Sequence, residues 1–249
     1  MSDEAMSSGA PVDDPVEEDA PPGVGEHRWP MALATISAWV MHELLPDDFK
    51  LGNVWLYPVL MTIFLVLLLA GDPGLISRER RWLRVITGAM IALIALSNLF
   101  SAIRLVDGII TNDSFANDSL QLLQIGGIVW ATNVLAFALW YWDVDGGGSV
   151  RRAIHGPWHD PAFIFPEMNM LERMPDGWYP HFADYLAFAF ATATAFSPTD
   201  VAAIKRWAKM LMILQAVASL VLATLVLAKA INGIGTPPPN SCLKVTSST

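Results

Sequence analysis

The sequence predicts an all-α fold, a polytopic integral membrane protein with five or six membrane helices. Three observations carry that expectation. Apolar residues make up 53% of the 249 and charged residues only 16%, where soluble domains carry about a quarter charged. Several uncharged runs approach the roughly 20 residues that a hydrocarbon core of about 30 Å requires. Trp29, Trp55, Trp140, Tyr141, Trp142, Trp178 and Tyr179 flank those runs, as aromatic residues do at membrane interfaces.

The first 28 residues are expected to be a disordered acidic tail. Eight of the 24 acids and no Lys or Arg fall in residues 1–27, in a Pro-, Gly- and Ser-rich stretch that cannot bury enough apolar surface to offset its ordering entropy. With no basic start or apolar core, it does not read as a signal peptide. The remaining acids and bases nearly balance, so the net charge of -9 belongs to the tail and no basic nucleic-acid surface is present. One cysteine, Cys242, excludes an internal disulfide framework and a multi-cysteine zinc site.

A helical transmembrane domain is expected over 29–232. Pro30 to Leu45 is the weakest run, short and ending in His42 and Glu43, with Pro30 suited to a first turn. Leu51 to Ala70 is the clearest, since a lone Pro58 is tolerated among neighbouring helices. Leu83 to Val106 and Ser119 to Trp142 follow, and then a long polar loop over 143–180. His181 to Phe196 reads either as a fifth span or as a re-entrant segment. Val201 to Asn232 reads as the last helix, its first turns "AAIKRWAK" at the interface, stopped by "NGIGTPPP" before a C-terminal tail over 233–249. Arg78, Arg80, Arg81 and Arg84 fill one short loop and none fills the next, which puts the Arg loop, and the 143–180 loop two spans later, in the cytosol. A full span at 181–196 is the expected arrangement, which puts Cys242 there too, and a segment re-entering from the cytosol would put it outside.

Polar residues within apolar runs are the candidate functional positions, because each is costly in hydrocarbon. Asn98, Asn133 and Gln215 read as interhelical hydrogen-bonding groups, with Arg104, Gln121, Gln124 and Ser219 noted beside them. Asp184 suits a helix start, where free N–H groups favour a carboxylate. The stretch "FATATAFSPTD" gathers Thr192, Thr194, Ser197, Pro198, Thr199 and Asp200: small residues for close packing, then a Pro break after which Thr199 or Asp200 is expected to cap the last helix. His155, His159 and Asp160 lie close together, but Pro157 prevents a helix that would align two imidazoles, so a polar surface loop is the favoured reading and no metal site, cofactor or catalytic residue is assigned.

Two resemblances follow from these residues. Asp184-Tyr185-Leu186, Phe188, Phe190, Thr194 to Asp200, Arg206 to Lys209 and Asn133 to Trp142 together resemble an uncharacterised family of small bacterial multi-span inner-membrane proteins. That resemblance implies fold and a bacterial cytoplasmic membrane, and no activity. The segment 183–209 is similar to the pore module of two-span potassium channels, through Thr192, Ala193, Thr194, Asp200 and Trp207. The Gly-Tyr-Gly of the filter is replaced by Ser197-Pro198-Thr199, which puts potassium selectivity in doubt. The leading expectation is a channel-like or transport-related protein centred on 184–200, and the rival is a non-conducting scaffold or partner-binding subunit. An enzyme is least favoured. The expected partners are membrane lipids and further copies of the chain.

Overall fold

The computed structural model describes residues 29–53, 55–71, 81–194 and 200–234. The acidic tail, Arg78, Arg80, Ser197, Pro198, Thr199 and Cys242 lie outside the described residues. The described part holds seven α-helices, four short 3-10 helices and one two-strand ladder: α1 (Trp29–Glu43), α2 (Leu56–Gly71), α3 (Arg81–Thr111), α4 (Ser119–Val144), α5 (Ser149–His155), β1 (Phe163–Ile164), α6 (Phe182–Thr194), β2 (Ala202–Ala203) and α7 (Arg206–Ile234), with the 3-10 helices in the connections.

Three helices, α3, α4 and α7, are long and apolar enough to cross a membrane, and α2 is a shorter apolar helix. The other two runs expected to span fall short. At 1.5 Å per residue, the 15 residues of α1 and the 13 of α6 reach about 20 Å, against the roughly 30 Å of a hydrocarbon core.

The central helix is α4, which packs against α1, α3, α6 and α7. Its start is capped by Asp118, whose carboxylate accepts the Leu120 and Gln121 N–H groups, two of the donors a helix start leaves without partners. It runs antiparallel to α3 and α7. Asn98 meets Asn133, Tyr141 meets Gln215, and the Ser119 hydroxyl donates to the Ala230 carbonyl. Gly126 permits the close crossing of α4 on α7, since a Cβ there would meet Val226 at 2.7 Å.

The buried apolar residues form two clusters, one at each end of the bundle. One holds Leu105, Leu122, Ile125, Leu222, Val226 and Ala230, with Leu45 and Phe49 from the turn after α1. The other holds the first half of α3, the second half of α4, the buried residues of α1 and α2, and Ala208 at the start of α7. The buried apolar residues of α6 (Phe182, Tyr185, Phe188, Ala189, Ala193) all belong to this second cluster. The long helices therefore pass through both halves of the core, while α6 occupies one.

Between α4 and α6 the chain is more ordered than a surface loop. Phe163, Phe165 and Met168 are buried in the same cluster as α6. β1 pairs antiparallel with β2, Phe163 opposite Ala203 and Ile164 opposite Ala202. The sequence expectation that 201–205 begins the last helix is corrected here. Those residues extend along β1, the Ile204 N–H donates to the Ala162 carbonyl, and the helix starts at Arg206. A helix start at Val201 would forgo these bonds to the loop.

Candidate functional site

The residues around α6 form the most connected polar site. Asp145 follows the last residue of α4 and is 1% exposed. One carboxylate oxygen accepts the N–H groups of Ala162 and Phe163 at 2.5 and 3.3 Å, and the other accepts the Tyr185 hydroxyl at 2.5 Å. A single side chain thus ties the end of α4 to β1 and to the first turn of α6. Arg152 of α5 is equally buried. Its Nη1 donates to the carbonyls of Trp142 and Asp145, which are among the acceptors a helix C-terminus leaves open. Its guanidinium carbon lies 5.0 Å from the centre of the Tyr185 ring, within cation–π range. Two carbonyl acceptors, a ring face and the nearby Asp143 offset part of the cost of burying this cation, while its Nε and Nη2 have no hydrogen-bond partner among the described residues.

One turn further along α6 the backbone is held from α7. Gln215 is fully buried. It accepts the Tyr141 hydroxyl through Oε1 at 2.6 Å and donates through Nε2 to the Ala189 carbonyl at 2.8 Å. α4, α6 and α7 are therefore joined through one amide. Rings fill the space around it, with Tyr141, Phe163 and Phe188 centred 4.9 to 5.1 Å from one another.

The sequence-derived candidates divide. Asp184 accepts the His181 N–H at 2.8 Å, the helix-start role expected of it. Thr192 and Thr194 turn their hydroxyls back onto the Phe188 and Ala191 carbonyls of their own helix. Asp200 is exposed in a bend; because β2 intervenes before Arg206, it does not cap α7, which corrects the expectation of a cap there. Asn98 and Asn133 are brought together as expected: Asn98 Nδ2 donates to Asn133 Oδ1 at 3.3 Å, and Asn133 Nδ2 donates to Ser219 Oγ at 3.0 Å. This chain links α3, α4 and α7 about halfway along them. Gln121 and Gln124 are exposed, and Arg104 pairs with Asp107 and Asp113 at the end of α3.

His155 and His159 stack with ring centres 4.4 Å apart. Among the described residues no group of three or more His, Cys, Asp or Glu side chains is placed to hold a metal ion. Asp160 binds Lys205 Nζ at 2.7 Å. That hydrogen bond, with the ammonium's charge, holds the Asp160 carboxyl below the usual carboxylate range, and it pins the segment before α7 to the loop.

Sequence reasoning missed Asp145, Arg152 and the role of Tyr185. Their signal was a carboxylate at the end of an apolar run and a basic residue seven positions later, which the sequence gives no way to tell from ordinary interface charges. His42 was missed as well. It is 4% exposed, its Nδ1 lies 3.0 Å from Ser97 Oγ, and its ring lies tilted at 32° against that of Tyr57, centres 3.8 Å apart. No protein-family model matches the chain, and no curated protein or solved structure matches it either.

Proposed function

We propose that this is a polytopic membrane protein of the channel-like or transport-related class, with α6 and the residues after it forming a re-entrant element at its centre. The observation that carries the reading is the pairing of Phe163 with Ala203 on the two sides of α6. The chain leaves α4, enters α6 beside Asp145 and is back beside β1 before α7 begins. Only half of the core surrounds α6, so on this reading its C-terminus lies at membrane depth. Half-helices that end there are the elements around which transporters and channels build ion and substrate sites, with carbonyl ends facing cations. Irregular backbone at that depth is tolerated only inside protein or along water.

The experiment is flux through the purified full-length chain in liposomes. Cation flux above that of empty vesicles, altered by Asp200→Asn without loss of folded protein, is expected. Vesicles holding correctly folded protein and showing no flux of cations, anions or small neutral solutes would defeat the reading.

A second reading has its own support. The Thr192 and Thr194 hydroxyls are spent within their helix, and the outer face of α6 carries exposed Ala183, Ala187 and Phe190. These features suit a scaffold or partner-binding subunit in which small residues admit a neighbouring helix. In that case Ala183→Leu and Ala187→Leu abolish assembly of copies, and no variant conducts.

A further inference from the structure

The three long helices leave an apolar groove of about 410 Å³ between them, walled by Ala92, Ala95, Ala102, Phe137, Trp140 and Leu214. A second groove shares Ala102, Ala218 and Leu222 with it and continues along α3 and α7 to Asp107 and Ile110. Apolar walls alone would need no particular occupant, because lipid tails are as apolar as leucine. The amide in the lining changes this. Asn98 is 7% exposed and lines the groove. It donates through Nδ2 to Asn133, and among the described residues no hydrogen bond reaches its carbonyl oxygen. In a medium without water an open acceptor is costly, so an occupant that brings one donor to this depth is favoured over one that brings none.

We propose that the groove binds an uncharged lipid bearing a hydroxyl group, the hydroxyl donating to the Asn98 carbonyl oxygen and the hydrocarbon lying along the alanine walls. At roughly 30 Å³ for a water-sized group, the groove holds about a dozen carbon or oxygen atoms, in the range of small-molecule sites. Asn98 lies near the middle of α3, too deep for a charged headgroup, whose burial is prohibitive. A second copy of the chain fits less well. The exposed faces beside the groove present Leu96, Leu99, Ile103, Leu214, Val217 and Val221, none of which carries a donor.

The test uses the full chain in phosphatidylcholine vesicles, a photoactivatable long-chain alcohol as probe, and either the unlabelled alcohol or the matching alkane as competitor. Labelling is expected on peptides holding 92–102 or 214–222, and the alcohol should compete about tenfold better than the alkane, the worth of roughly one hydrogen bond. Asn98→Leu combined with Asn133→Leu, which removes both amide acceptors from the lining, should make the two competitors equal. Ala95→Phe, which fills the groove and leaves the amides untouched, should remove the labelling while the melting temperature holds, and this keeps the test decisive even if that double variant does not fold. Equal competition by alcohol and alkane in the native chain, labelling spread evenly along the helices, or cross-links between two copies at these residues would each overturn the proposal.

Discussion

Phe163 and Ala203 are cross-strand partners, and the whole of α6 lies between them in the sequence. β1 and β2 meet beside the middle of α6, where the Phe163 and Phe188 rings are centred 5.1 Å apart, so Ala203 lies back beside that part of the helix. The pairing, the Asp145 bonds and the Gln215 bridge all hold that one short helix in one half of the bundle. Each can be broken separately.

Asp145→Ala should destabilise the folded chain by about 3 kcal/mol or more, since it leaves two buried N–H groups and a phenol without acceptors. Tyr185→Phe should cost about 1.5 to 3 kcal/mol. Reversible unfolding in detergent measures both, and the double variant should cost less than the sum. Values within about 0.5 kcal/mol of the native chain for both single variants would mean that the lock contributes nothing.

Gln215→Leu should cost about 1 to 3 kcal/mol, because the Ala189 carbonyl and the Tyr141 hydroxyl each lose a buried partner. Thr192→Val should cost about 0.6 kcal/mol or less, since its hydroxyl only returns to its own helix. The reverse ranking in the same unfolding assay would place the weight of the α6 contacts on the threonine side.

Asp118→Ala should cost about 0.5 to 2 kcal/mol as the loss of an N-cap, and Asp200→Ala should fall within about 0.5 kcal/mol of the native chain. A large loss at Asp200 would restore it as a structural carboxylate.

The Asp160–Lys205 contact should show in acid titration. Asp160 is held below the carboxylate value of about 3.9 seen in unfolded chains, so its contribution is complete above that value and disappears as the pH falls through the lower folded value. In the full chain the Asp160 carboxyl carbon resonance should titrate below this reference, and in Lys205→Met it should move back toward it. Titration unchanged by the substitution would show that the pair does not form.

The long helices α3 and α4 were legible in the sequence because hydropathy depends on local composition. The predicted runs Leu83 to Val106 and Ser119 to Trp142 lie within α3 (Arg81–Thr111) and α4 (Ser119–Val144). The meeting of Asn98 with Asn133 was legible for a related reason, since amides in apolar runs seek each other. The extended course of 201–205 was not, because "AAIK" has ample helix propensity and only its tertiary bonds to Ala162 and β1 hold it extended. Asp145 and Arg152 escaped because most of their partners are backbone groups, which leave no mark in the composition, and their shared side-chain partner Tyr185 lies more than thirty residues further along the chain.

The central claim, that α6 enters and leaves on one side, is tested most directly by two thiols. α7 runs from β2 to the end of the bundle where Lys229 meets Asn112 and Ser119 meets Ala230, opposite the end marked by Asp145. Native Cys242, the single cysteine, and Asp176→Cys in a Cys242→Ser background, at an exposed loop position, are each treated with a membrane-impermeant thiol reagent on intact expressing cells. With the Arg loop in the cytosol, Cys242 should label on intact cells and Asp176→Cys only after the cells are opened. Labelling of both positions from the same side, whichever side that is, would make 181–196 a full span and contradict the account.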